Sequence, residues 1–306
     1  MTATVSEKSY PGRHEAIARI AVGVDGYSEG RDAVALGSAL AKVTGAELML
    51  VAVHINPMVP VPREMDSRTL RRQAEDILRE VRDALAPHAR IAVEADLSVA
   101  RALHRVVNRE QRDLLVVGSS RHGPQGCVRI GKRTRQLLCN FECALAIAPR
   151  GLHEVGPPSL RTIGVGYDGG PESEAALATA AAIATAAGAE LRVLGIIDDR
   201  VPLLMSSALQ GLVATEWHDV IAEEQQRLHD RSRAATKALD ASVKCGVVRG
   251  HPAQVLLALS REVDLIVIGS RRWGPVARVL LGSTGEAVLH DAHCPVLTVP
   301  RAASRA

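Results

Sequence analysis

A chain of 306 residues has the length of two ordinary domains, and its 47% hydrophobic content is enough for sizeable cores built from Ala, Val, Leu and Ile, since only 2% of residues are aromatic. The formal net charge of +3 excludes a strongly basic nucleic-acid or membrane-binding surface, and the scarcity of aromatics excludes a base-stacking one. Five cysteines (Cys127, Cys139, Cys143, Cys245, Cys294) without a CxxC pair exclude a disulfide framework or zinc site and suit reduced thiols in a cytoplasmic protein.

The N-terminal stretch MTATVSEKSYPGRHEAIAR has no apolar signal-peptide core. The short β-branched run Ile20–Val24 predicts a buried strand that ends in a turn at Asp25-Gly26. An Ala-rich helix follows, closed by Gly45, and then a second strand over Leu48–Val53. A proline-containing irregular stretch (INPMVPVPRE) leads to a charged helix over Asp66–Leu85. A third strand is expected near Ile91–Glu94, a helix over Val99–Arg109, and a fourth strand over Leu114–Val117. A glycine-containing loop, a further helix and a last strand over Leu145–Ala148 complete the set. The Gly- and Pro-containing segment GLHEVGPPSLR then marks a boundary near 151–160.

Past that boundary the pattern repeats. The strands recur over Ile163–Tyr167, Leu191–Ile197, Val243–Val248, Leu265–Ile268 and Val296–Val299. Between them lie an Ala-rich helix closed by Gly188, a helix from about Thr215 to Leu239 after the segment PLLMSSALQGL, and a helix over Pro252–Glu262. The apolar stretch 175–187 is shorter than the roughly 20 residues a membrane span needs. Asp25 and Asp168, like Gly45 and Gly188, are 143 positions apart, whereas Gly118 and Gly269, Gly131 and Gly282, and Cys143 and Cys294 are 151 apart. The chain is therefore a duplication, with 8 residues inserted in copy two ahead of its glycine motif. Alternating strands and helices with near-continuous apolar strands predict an α/β fold with a doubly wound parallel sheet in each copy, over 17–150 and 160–301.

Ligands of such sheets sit at the carboxyl ends of the strands where the winding reverses, and two features of each copy fall there. Asp25 or Asp168 can accept hydrogen bonds from a ribose or base, or can simply brace its own turn as an Asx residue. Gly269, followed by Gly282-Ser283-Thr284 at a helix start, offers close backbone approach, free N–H groups and two hydroxyls to a phosphate; the alternative is an ordinary Ser or Thr helix cap. Copy one offers Gly118 and Gly131-Lys132 at the same places. The basic run 118–135, with Arg121, Arg129, Lys132, Arg133 and Arg135, is a solvated helix face or a polyanion site. Cys139 and Cys143, four apart, share a helix face if the helix extends that far. No Ser-His-Asp or Glu-x-x-His arrangement emerges, and His122, His251, His290 and His293 are scattered.

Both copies resemble universal stress protein domains, which are Rossmann-like and of the adenine nucleotide alpha hydrolase-like kind. ATP-binding members of that family carry Gly-x2-Gly-x9-Gly-(Ser/Thr) together with the Asp that ends strand one. Here Arg272 and Arg121 replace the second glycine, and Lys132 replaces Ser or Thr in copy one. The resemblance implies ATP, with Mg²⁺ where hydroxyls are available, on Gly269, Arg272, Gly282, Ser283 and Thr284, with Asp168 at the ribose and the main chain near Ile196 at the adenine. The copy-one counterparts are Asp25, Val53, Gly118, Arg121, Gly131 and Lys132, with metal binding disfavoured by Lys132. It further implies a stress-linked regulatory protein that is not an enzyme, binding nucleotide chiefly in copy two. The alternatives are a scaffold without nucleotide and a slow ATPase. Pairing through the last strands is implied too, internally as a pseudo-dimer or between two chains.

Overall fold

The computed structural model describes residues 17–55, 66–138, 143–156, 158–198, 207–273, 278–280 and 282–300, with the side chains of 207–218, 271–273 and 278–280 outside the description. Copy one comprises β1 (Arg19–Val24), α1 (Ser28–Thr44), β2 (Glu47–His54), α2 (Ser67–Leu85), β3 (Arg90–Ala95), α3 (Val99–Arg109), β4 (Leu114–Gly118), α4 (Lys132–Leu138) and β5 (Ala144–Ala148). A single 3-10 turn, Leu152–Val155, occupies the connection. Copy two comprises β6 (Thr162–Tyr167), α5 (Pro171–Ala187), β7 (Glu190–Ile197), α6 (Ser207–Thr236), β8 (Ser242–Arg249), α7 (Pro252–Leu259), β9 (Leu265–Trp273), β10 (Arg278–Leu280), α8 (Ser283–Asp291) and β11 (Val296–Pro300).

The strands form one 11-stranded sheet in the order β3-β2-β1-β4-β5-β11-β9-β6-β7-β8, with β10 paired to β9 outside that path. Within each copy the core strands run parallel, as continuous apolar runs buried on both faces require. The copies join where β5 and β11 pair antiparallel, Val296 opposite Ile147, Leu297 opposite Ala146 and Thr298 opposite Leu145. One apolar cluster lies on each face and each runs through both copies. The α1, α2, α5 and α6 side holds Leu36, Leu78, Ile183 and Leu228, and the α3, α4, α7 and α8 side holds Leu103, Leu137, Leu259 and Leu289. Gly45 and Gly188 close their helices in the left-handed conformation, φ 69° and 62°, as their C-cap role demands.

Two elements differ from expectation. α6 starts at Ser207, eight residues before Thr215, and at 30 residues it is longer than the 19-residue α2. The insertion is therefore added helix, and Gly211, which weakens a helix by about 1 kcal/mol, made that stretch read as irregular. β9 runs past Ile268 to Trp273 because β10 folds back on it, pairing Val279 with Arg272. Of the stretch INPMVPVPRE, read as irregular, residues 56–64 lie outside the described residues. The described part of α4 reaches Leu138, and Cys139, with the helix face expected to join it to Cys143, also lies outside the described residues.

Candidate functional site

In each copy the strand order reverses between the first and fourth strands, β1 beside β4 and β6 beside β9. Asp25 and Asp168 follow the first strand; Gly118 and Gly269 stand on the fourth. Both aspartates are exposed and both brace their turns: Asp25 Oδ1 accepts from Tyr27 N at 3.2 Å, and Asp168 Oδ1 from Gly170 N at 2.8 Å. The Asx role is thus real, and in each it uses one carboxylate oxygen. In copy two Ser173 adds to the turn, its Oγ donating to Gly170 O at 2.9 Å.

Gly118 and Gly269 have a use independent of any ligand. A Cβ at Gly118 would lie 2.1 Å from the carbonyl oxygen of Glu29, and one at Gly269 would lie 2.4 Å from that of Glu172. The first turn of α1 or α5 rests on the fourth strand at that point, and only glycine admits it. Val53 and Ile196 lie near the ends of β2 and β7, where pairing with β1 and β6 stops at Ala52 and Gly195. Their main chain toward the reversal point therefore extends beyond the ladder.

The glycine loops differ. In both copies a serine ties the loop to the last strand, Ser119 Oγ donating to Ala148 O at 2.8 Å and Ser270 Oγ to Val299 O at 3.2 Å; in copy one Ser119 Oγ also accepts from Arg129 N at 3.1 Å. Val128 N then donates to Ala292 O at 2.7 Å and Ile130 N to Leu289 O at 3.1 Å, docking the loop on the end of α8. Arg129 pairs with Asp291, while Arg135 meets Glu286 at 2.5 Å and lies 3.2 Å from His290 Nε2. The basic run is therefore not merely a solvated face: two of its arginines are spent on copy two. Exposed Arg121 stacks over Tyr27, 4.0 Å from the ring centroid, between the Asp25 turn and the glycine loop. Beneath the loop Glu29 is buried, with one oxygen 3.9 Å from Arg150 Nε and the other without a hydrogen-bond partner. Exposed Lys132 opens α4.

The linker is fastened to the same region. Asp32 on α1, fully buried, accepts from Gly151 N at 2.8 Å and His153 N at 2.9 Å, and lies 2.5 Å from His153 Nδ1. Gln125 of the glycine loop donates to Glu154 at 3.0 Å, and Arg150 to Gly123 O at 2.9 Å. Copy two carries Ala175 where copy one has Asp32. Sequence reading missed Tyr27, Glu29, Asp32 and His153; the contrast of DGYSEGRD with DGGPESEA held the only available signal.

In copy two, Gly282 is the N-cap of α8, supplies no side-chain cap, and faces open space at its Cβ position. Ser283 is exposed and Thr284 partly so, and the first-turn N–H groups have no intrahelical partner. The side chain of Arg272 lies outside the described residues. Among the described residues no group of three His, Cys, Asp or Glu could hold a metal ion, and no helix is long and apolar enough to cross a membrane.

A universal stress protein of Mycobacterium tuberculosis is 28% identical over 295 residues, covering 91% of this chain and 95% of the relative. One of Mycolicibacterium smegmatis is 27% identical over 297 residues, covering 92% and 96%. The crystal structure of a universal stress protein from Archaeoglobus fulgidus superposes with a TM-score of 0.65 at 18% identity, covering 92% of this chain and 98% of that one, a likeness of fold. The model of the universal stress protein family matches residues 16–149 and again 159–300, and the chain belongs to that family as a tandem of two such domains.

Proposed function

We propose that copy two binds an adenine nucleotide, with ATP the first candidate, and that the chain is a nucleotide-responsive regulatory module rather than a catalyst. The observation that carries this is the start of α8: an uncapped helix N-terminus opened by Gly282, Ser283 and Thr284, which follows the strand beside the Asp168 turn. Uncapped N–H groups and the helix dipole favour phosphate oxygens, and the two hydroxyls suit Mg²⁺ beside them. Asp168 keeps one carboxylate oxygen for a ribose, and the main chain at Ile196 runs free of β6 toward the base.

The reading as a binder rather than a catalyst rests on the glycine motif itself. The first carboxylate of the motif after Gly269 is Glu286, and it is engaged by Arg135. Copy one reads as a scaffold half. Its helix opens on Lys132, its loop is docked on copy two, and Arg121 lies across its cleft on Tyr27.

Titration calorimetry of the whole chain with Mg-ATP tests the assignment. One site per chain is expected, with Ser283→Ala weakening it about tenfold and Lys132→Ser leaving it unchanged. Absence of binding, or a site abolished by changes in copy one alone, overturns it.

A further inference from the structure

The two copies meet about a pseudo-two-fold axis, and a residue that contacts its own equivalent lies on such an axis. With the copies 151 positions apart in this region, Ala146 and Leu297 are equivalents, and they stand directly opposite each other in the β5–β11 ladder. Both are fully buried in the same apolar cluster. Arg135 and Glu286 are likewise 151 apart, and they form an ion pair at 2.5 Å. In a pairing of two identical domains each of these positions would face a copy of itself. Here, small faces large and positive faces negative.

We infer that these positions select the unlike half as partner: copy one is built to pair with copy two and to reject another copy one, and the same holds in reverse. Two copies of copy one would set Arg135 against Arg135 and leave a gap between two alanines at the centre of the sheet. Two copies of copy two would set Glu286 against Glu286 and force two leucines into the room of one Leu and one Ala. The off-axis pair Arg129–Asp291 acts in the same direction. Its equivalents in sequence are Leu280 and Asn140, so neither like pairing recreates the ion pair.

The selection has a consequence peculiar to a tandem chain. Each chain carries two joining strands. Like-with-like joining cannot close within a chain and draws in at least one further chain, since each joined copy leaves its sister strand unpaired. Unlike joining closes within the chain.

Single substitutions recreate each rejected contact inside the closed chain, so double-mutant cycles on the full protein test the inference directly. Arg135→Glu reproduces the acid–acid contact and Glu286→Arg the base–base contact. Each should lower the thermal midpoint by about 2 °C at low salt and less at high salt, and the double reversal should return it to the wild-type value. Leu297→Ala and Ala146→Leu should each cost about 5 °C or more, with the double exchange recovering most of the loss. Because Arg135 and Glu286 are 51% and 44% exposed, the charge cycle remains readable if Ala146→Leu does not fold. Double variants no better than the sum of their singles, in both cycles, would overturn the inference.

Discussion

The two glycine loops began as the same piece of chain and now do different things. Both are tied to the last strand of their copy by a serine, but in copy one Val128 and Ile130 also hang the loop on the end of α8, and Gln125 and Arg150 join it to the linker. In copy two the strand runs on into the β9–β10 hairpin, and the helix behind it starts with bare N–H groups. On the proposed function, the family pattern is divided between assembly in copy one and recognition in copy two.

The sharpest way to break that comparison is at the position where the copies should agree. Gly118→Ala and Gly269→Ala each drive a methyl group into backbone, and each should cost about 3 kcal/mol in denaturant unfolding, whatever ligand is present. A mild effect at Gly269 would show that the helix can retreat in copy two, and the two cradles would then differ more than their geometry indicates.

A smaller effect is expected from Asp32→Ala, which acts on copy one alone. It leaves Gly151 N and His153 N without their buried acceptor and should cost about 2 kcal/mol, with faster protease cleavage near 151–156. The matched change in copy two does not exist, since Ala175 already stands there. Equal stability of the variant and the parent would mean that the linker does not depend on the clamp.

The smallest change should come from Arg121→Ala. Losing the stack on Tyr27 should cost about 0.5–1 kcal/mol at this exposed site. It also uncovers the copy-one cleft, so calorimetry with ATP on this variant shows whether Arg121 is what keeps that half a scaffold. A second site appearing only in the variant would place the asymmetry in one side chain. Continued silence would place it in Lys132 and the docked loop.

Most of the architecture was legible because its signals are local and repeated. Asp-Gly after a β-branched run, Gly at a helix end and the constant spacing of Gly118, Gly131 and Cys143 from their partners each announce backbone geometry twice. Part of the site's placement was legible: Asp25 and Gly118, like Asp168 and Gly269, fall on or just after the paired strands at the two reversal points. Their uses were less so. Nothing local to Gly118 tells that Glu29 sits on it, and nothing in the run of arginines tells that Asp291 and Glu286 await Arg129 and Arg135 from 151 or more positions away. Contacts between copies are set by tertiary placement, to which helix and strand periodicity is blind. The start of α6 was hidden for a simpler reason, a single glycine, Gly211, inside the helix.

The β5–β11 pairing changes where this chain should be weakest. In most two-domain proteins the boundary is thin and opens first. Here the strands at the boundary are the innermost of a sheet covered on both faces, with Ala146, Ile147, Val296 and Leu297 all at zero exposure. The amides of these strands should exchange with solvent only on global unfolding, while those of the outer strands β3 and β8 open locally. The seam left by the duplication is therefore the last part of the molecule to come apart.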